Sequence, residues 1–368
     1  MACDVMMDLE GAIRPALYLA SELEKRGYKV SILSPMMSRE VEKHLCGINI
    51  TPINLHVKLF TENLGFSLLW FELWGREAFL RLNSKRAVSH SYITINFSHT
   101  LVLSSKFWYV QGPTSEGLKD GETELFGAYK LGYKILRPII DYADRKLVKD
   151  IGKRTTFVVA NSKFCASIFN KWGIKVEGVI YPPIDCKIFQ PRTSTPSSDY
   201  VLTYFGKESK FSIVKAVANL GVHIKAFGAK LPFMPKSLTS HPNVEFLGRI
   251  STDELVDLYS NALFTLFPFT HEPFGYIPVE SMACGTPVLT YNMQGPSESI
   301  VDGYTGWLAE SDKEFIHKAL ILWEQGYANK IRLNCVKSAS VFDRKLYVEK
   351  WLEFIKPEIL NKRKKDGP

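Results

Sequence analysis

Short apolar runs alternate with longer amphipathic stretches along the chain, and that alternation sets the expected elements. Val30–Leu33 reads as a strand, and so do residues 92–97, 107–110, 156–160 and 178–181. Between them apolar residues recur at helical spacing. In 13–26, Ile13, Ala16, Leu17, Ala20 and Leu23 share one face ahead of Gly27, as in an amphipathic helix closed by glycine. Strand, glycine turn, helix and strand predict a βαβ opening. Its first strand lies within Met1–Met7, is short and carries Asp4; it fits the edge of a sheet, or a chain that begins late. Gly11, in the loop behind it, serves equally as a helix-start glycine or as a close-approach position near substrate. Asn161-Ser162 caps a helix over 163–172. A second alternating half starts at Tyr200, with strands near 201–205, 222–227, 244–247, 263–267 and 287–291. Residues 190–199, polar and proline-rich, read as the linker between the halves. The expected fold class is α/β: two doubly wound, Rossmann-like domains facing across a cleft, with ligands outside the carboxyl ends of the strands.

Composition narrows the partners. A chain of 368 residues, 46% hydrophobic and 23% charged, holds two globular cores. A net charge of +8 suggests a polyanionic neighbour: nucleic acid, an acidic membrane or a phosphorylated ligand. No zinc spacing or basic–aromatic repeat supports nucleic acid. The six cysteines, at 3, 46, 165, 186, 284 and 335, form no CxxC pair, which points away from a metal site or disulfide framework and toward a reducing interior. Asp4, Asp8 and Glu10 do not suit a signal peptide, and no run reaches the ~18 apolar residues that span a bilayer. Membrane contact is therefore expected to be peripheral, and the expected setting is the cytoplasm, including the cytoplasmic face of a membrane. Leu64–Leu82 and Tyr129–Lys149 fit two readings: helices covering the first sheet, or basic amphipathic helices lying on an anionic bilayer. Pro138 is expected to kink the second.

The stretch richest in candidate chemistry is His271-Glu272-Pro273-Phe274-Gly275-Tyr276-Ile277-Pro278-Val279-Glu280, followed by Ser281–Thr290. It reads as loop, short helix, glycine stop and buried strand, with Pro278 at the first helical position and Gly285 at the C-terminal cap. Phe274, Gly275 and Tyr276 would then offer backbone N–H groups ahead of a helix N-terminus, a site for an anion. Glu272 and Glu280 flank that cradle. Two carboxylates around a phosphate site suit a sugar nucleotide, one accepting from sugar hydroxyls and the other from ribose. A first-turn glutamate such as Glu280 also steadies a helix dipole by itself.

This string resembles the donor-site signature of the large retaining glycosyltransferase family called family 4, or group 1, with the GT-B fold. Gln294-Gly295-Pro296-Ser297-Glu298 and Asp302–Leu308 continue the pattern, and the resemblance is strongest over 157–310. It implies that Glu272 contacts the transferred sugar and Glu280 the ribose. It implies a diphosphate site in Tyr204-Phe205-Gly206-Lys207-Glu208-Ser209-Lys210, where Lys207 takes the place of an arginine and Lys210, at shorter spacing, that of a lysine. Solvated loop lysines are the alternative. Phe246–Ile250 resembles the base-holding loop, with Arg249 near a phosphate or simply exposed. Glu298 orders the donor loop or is structural. Relatives often place an acceptor-side histidine where this chain has Gln111. His99, ending the preceding strand, is the remaining candidate for catalysis there, although a strand-end histidine is more often a structural hydrogen bonder. His271 reads as a pocket-shaping loop residue and Cys284 as packing.

By the same resemblance, the expected domains are an acceptor-binding domain over 1–185, a nucleotide-sugar domain over 186–342, and a helix over 343–368 that packs back on the first domain and ends in a basic tail. With no D-x-D triplet, a metal-independent hexosyltransferase without cofactor is expected. Its donor would be of the GDP-mannose or UDP-glucose type, and its acceptor a glycan or a lipid-linked glycan. The alternative is a non-catalytic sugar-nucleotide-binding or partner subunit of the same fold. A phosphorylase would need a pyridoxal lysine, and the signature of a nucleotide-sugar 2-epimerase is not evident.

Overall fold

The computed structural model describes residues 1–9, 11–61, 66–81, 93–125, 127–231 and 234–366. Leu64, Leu82 and Tyr92, which fall in expected elements, and Glu10 lie outside them. The chain forms two α/β units: Met1–Ser115 with Leu136–Pro183 and Lys345–Pro368, and Glu116–Ile135 with Ile184–Arg344. Residues 116–135 thus join the second unit. The chain passes to that unit after Pro183, so 190–199 is a surface segment of it and not a linker. Arg192 holds this segment down through Asp253 (2.5 Å) and Asp257 (3.2 Å).

In the first unit, parallel strands β1 (Ser31–Ser34) and β2 (Thr51–Asn54) pair with each other, and β3 (Ile95–Asn96), β4 (Ser105–Val110), β5 (Thr155–Ala160) and β6 (Gly178–Val179) pair in that order. Met1–Cys3 joins the two groups. The Ala2 N–H donates to Ile95 O (2.9 Å) and the Cys3 N–H to Leu33 O (2.8 Å). The opening strand is therefore central, which corrects its expected place at an edge. Ala2 and Cys3 are small, apolar and buried, so so short a strand can fill the middle of the sheet. Chain order reverses beside it: β1 and β2 lie to one side and β3 to β6 to the other. That reversal is the place where doubly wound sheets leave a crevice.

Helix α1 (Arg14–Lys25) turns Ala16, Leu19, Ala20 and Leu23 into this core. Helix α2 (Arg39–Gly47) follows β1, and α3 (Phe66–Leu80) follows β2. Helix α4 (Thr114–Gly121) leads to α5 (Gly127–Gly152), which runs through Pro138 as one element; α6 (Lys163–Lys171) is capped by the Ser162 hydroxyl, which accepts from the Cys165 N–H (2.9 Å). The final helix of the chain, Arg344–Asp366, sets Tyr347, Trp351, Leu352 and Ile355 against the α1 face of the first sheet. Trp351 sits 5.9 Å from Phe97 and 5.7 Å from Tyr109, ring to ring.

The second unit repeats the scheme. Its strands are β7 (Val201–Phe205), β8 (Ile224–Gly228), β9 (Val244–Gly248), β10 (Thr265–Phe267), β11 (Val288–Tyr291) and β12 (Gly306–Ala309), all parallel in the order β12-β11-β10-β7-β8-β9. Every described residue of β10 and β11 is buried, as expected of strands covered on both faces. Here the chain order reverses between β7 and β10.

Candidate functional site

The loops that leave β7 and β10 meet at the reversal of the second sheet. Ser209 pairs with Phe269 as an antiparallel bridge. The Lys210 N–H donates to Pro268 O (3.0 Å), and the Thr270 N–H donates to Glu208 O (2.7 Å). This pairing sets the loop carrying Lys207 and Glu208 beside the loop carrying Glu272. A third loop, after β11, locks the second. Gln294 accepts from the Glu272 N–H (2.7 Å) through Oε1, and donates through Nε2 to Asp120 Oδ2 (3.1 Å) and Thr270 O (3.4 Å). The Gly295 N–H reaches Glu272 O (3.1 Å). A Cβ on Gly295 would lie 2.1 Å from Pro273 O, so the two backbones touch only because residue 295 is glycine. Asp120, on α4, also holds His271 Nδ1 at 2.9 Å.

Next in chain order are α7 (Phe211–Asn219), α8 (Lys236–Thr239), α9 (Thr252–Asn261) and α10 (Tyr276–Ala283). Helix α10 starts two residues before Pro278, with Gly275 as its N-cap at φ +93. The anion at this helix start comes from the chain itself. Glu272 Oε1 accepts from the Gly275 N–H (3.2 Å) and the Phe274 N–H (3.4 Å). The amides expected to cradle a phosphate therefore aim the Glu272 carboxylate. Glu280, in the second turn, is buried, and Gly285, at φ +80, follows the helix end.

Charge gathers around Tyr204 at the end of β7. Its hydroxyl is pushed up, first by burial, then by Glu208 and Glu272, with Arg249 opposing and Glu280 adding to the rise. Tyr204 thus lies within electrostatic reach of both expected carboxylates and of Arg249. The Glu272 carboxyl is raised to about 7, first by burial and next by Glu208, against the Phe274 and Gly275 amides and Lys207. Glu208 is itself raised by burial, with Lys207 opposing. Lys207 and Arg249 are exposed. Lys210 is placed differently. Its ammonium pairs with Asp312 (2.8 Å) and lies 4.6 Å from the Tyr291 ring centre, so it ties β11 to α11 (Asp312–Gln325). Glu298 lies in a single helical turn after Gly295, where its N–H donates to Gly295 O (3.0 Å).

In the first unit, the other candidates collect at that sheet's own reversal. Asp4 ends the central strand and accepts from the His99 N–H (3.0 Å), the Thr100 N–H (2.9 Å), the Thr100 hydroxyl (2.6 Å) and the Ser98 hydroxyl. His99 is buried against Trp108 and Phe169. Its Nε2 accepts from the Gln111 N–H (3.4 Å), and burial lowers its pKa although Asp4 and Asp144 oppose that. His99 thus supports the Gln111 backbone. The Gln111 side chain donates to Ala12 O (3.2 Å), and neighbouring Gly11 is exposed at φ +65 with open space where a Cβ would be. Gly11, Gln111 and His99 are therefore brought together in this unit. Glu272, Glu280, Lys207, Arg249 and the Phe274–Tyr276 turn are brought together in the other.

Sequence reasoning passed over Glu208, Tyr204 and Asp120 as site residues, and Gln294 as the splint of the loop. Glu208 had a signal, a carboxylate beside the expected diphosphate lysine. Asp120 had none, because it lies 151 positions before His271.

Comparisons with known proteins address the same region. Residues 230–340 match the family model described as Glycosyl transferases group 1. The chain is 35% identical over 113 residues to an alpha-1,3/1,6-mannosyltransferase of Mus musculus, a match covering 28% of this chain and 27% of the relative. It is 28% identical over 199 residues to the GDP-Man:Man(3)GlcNAc(2)-PP-Dol alpha-1,2-mannosyltransferase of the same species, covering 45% of this chain and 40% of the relative. The chain thus spans less than half the length of these curated relatives. Among solved structures, Anabaena HepE in complex with UDP superposes with a TM-score of 0.66 at 17% identity, covering 97% of this chain and 99% of that one. That likeness shows the GT-B fold.

Proposed function

We propose, from the premise that this chain is a group 1 glycosyltransferase of the GT-B fold, that it moves a hexose from a nucleotide sugar to a glycan or lipid-linked acceptor with retention at the anomeric carbon. The observation that carries the reading is the meeting of three loops at the reversal of the second sheet, which gathers Lys207, Glu208, Glu272 and Tyr204, with Arg249 and Glu280 in electrostatic reach. In this reading the donor's sugar hydroxyls donate to Glu272, whose carboxylate the Phe274 and Gly275 amides already aim. Glu280 takes the ribose hydroxyls. Lys207 and Arg249 face the diphosphate and stabilise the charge that builds on it as the glycosidic bond to phosphate breaks. That leaving oxygen accepts the acceptor hydroxyl's proton on the face where the new bond forms, so no protein base is required. With two cations aimed at the diphosphate, we propose that metal is not needed. GDP-mannose and UDP-glucose are the donors favoured, the first by the names of the mannosyltransferase relatives and the second by the UDP carried by the HepE structure. In the first unit, Gly11 and Gln111 line the acceptor side, and His99 positions Gln111.

Incubation with each labelled donor and a short polyprenyl-pyrophosphate glycan, with metal chelated, tests this. Formation of an α-linked product from an α-linked donor is expected. A free sugar phosphate, an isomerised donor or a β-linked product would overturn the reading.

A further inference from the structure

Helix α5 carries an apolar face that is exposed among the described residues. Leu131, Ile135, Ile139 and Tyr142 follow one another at spacings of four, four and three residues, so they share one side of the helix. All four are 56–66% exposed. The opposite side is the packed one: Ala143, Leu147, Val148 and Ile151 are buried against Trp74, Ala78 and Phe169. A soluble helix normally turns its apolar stripe inward, and a second stripe of large residues facing water marks an interaction surface. Phe79 and Leu80 extend it. They end α3 and are exposed, and α3 is tied to α5 where Lys146 Nζ donates to Ala78 O (2.5 Å).

The charges around the stripe favour an anionic occupant. Arg145 and Lys149 are exposed beside it. The Arg145 guanidinium lies 4.6 Å from the centre of the Trp172 ring. The aspartates of α5 are accounted for: Asp141 faces Arg137 at 3.7 Å, Asp144 is buried, and Asp150 is held by Arg81. Directly after Leu80, a cavity of about 450 Å³ is lined by Arg81, Lys153, Arg154 and Asp150. With Asp150 paired to Arg81, Lys153 and Arg154 are left to meet a phosphate headgroup.

We propose that this face of the first unit, Ile139 and Tyr142 of α5 with Phe79, Leu80 and the Arg81–Lys153–Arg154 cavity, docks the protein on an anionic bilayer. The apolar residues enter the acyl boundary while the cations meet lipid phosphates. The inference rests on the lipid-linked acceptor of the proposed function, because a protein lying on the bilayer meets such an acceptor by diffusion in the plane. No described helix is long and apolar enough to cross a membrane, so the contact is interfacial.

Flotation with vesicles tests this without turnover. Vesicles of phosphatidylcholine alone are compared with vesicles containing about a third phosphatidylglycerol, at low salt and at about 0.5 M salt, where screening shortens the Debye length to a few ångströms. Wild type should float with the anionic vesicles, much less with the neutral ones, and lose most binding in high salt. The double variant Ile139→Ser/Tyr142→Ser should bind roughly tenfold or more weakly, since it withdraws two large side chains from the acyl boundary. A double variant Lys153→Gln/Arg154→Gln should lose the preference for anionic lipid. Both variants should keep the wild-type melting temperature and its shift with nucleotide sugar, which separates failure of docking from failure of the donor site. Wild type that ignores anionic vesicles, or an Ile139→Ser/Tyr142→Ser variant that floats as well as wild type, overturns the proposal. So does a concentration-dependent dimer that this variant abolishes, because the stripe would then be covered by a second copy of the chain.

Discussion

Replacing Glu208 by glutamine isolates the electrostatics of the donor site. The Glu272 carboxyl sits at about 7 instead of 4.5, first because it is buried and second because Glu208 faces it. A displacement of that size corresponds to roughly 3 kcal/mol of disfavour for the charged form. Glu208 is raised as well, first by burial and against Lys207. Glutamine keeps the volume and removes the charge. Burial is the larger cause, so less than half of the penalty should vanish, roughly 1 kcal/mol, and Glu272 should then ionise about one pH unit lower. Two assays read this. In the wild type the native state keeps a proton that the unfolded chain releases above 4.5, so the stabilisation is full at acid pH and declines as pH rises through about 7. Melting temperature should therefore fall between about pH 5 and pH 7 in the wild type, and fall less in Glu208→Gln. If the Glu272 anion is the working acceptor for sugar hydroxyls, the acid limb of kcat/KM should lie near pH 7 and move about one unit lower in the variant. Superimposable limbs in the two proteins, or a wild-type melting temperature flat across that range, would refute the reasoning.

Four other substitutions separate the working parts. Lys207→Ala should lower kcat/KM by roughly a hundredfold with little change in melting temperature, because Lys207 is exposed; Lys210→Ala should do the reverse, losing the Asp312 pair and about 1 kcal/mol of stability while turnover survives. Gly295→Ala should cost more than about 2 kcal/mol and raise the donor KM sharply, since its Cβ would overlap Pro273 O although its φ of −60 suits alanine; denaturant titration and steady-state kinetics check both parts. Asp4→Ala should destabilise the first unit by about 2–4 kcal/mol by stripping hydrogen bonds from the Ser98–Thr100 turn, measured by urea unfolding.

The strands that were plain in the sequence are those buried on both faces. Val201–Phe205 and Val288–Tyr291 are near-continuous apolar runs, and each strand lies within a residue of its expected bounds. Thr51–Asn54 was missed because it lies at the edge of the first sheet and holds a proline and an asparagine. Gly306–Ala309, the opposite edge strand of the second sheet, contains a glycine and is only half buried. The opening strand misled because a three-residue run looks marginal, yet its neighbours pair with it on both sides. For the site, Glu272 and Glu280 were legible because their loop, turn and helix are contiguous. Asp120 reaches His271, and Gln294 reaches Glu272, only through the fold, and the capture of the Phe274 and Gly275 amides by Glu272 depends on a side-chain torsion that no spacing encodes.

The most direct measurement of the central claim is calorimetric titration of GDP- and UDP-sugars into the wild type and Glu280→Gln with metal chelated. The account predicts that one nucleotide class binds the wild type under these conditions. It also predicts that the variant, holding ribose through an amide instead of a buried carboxylate, binds roughly ten- to a hundredfold more weakly. Equal affinity in the two proteins, or wild-type binding that appears only when divalent metal is restored, would contradict it.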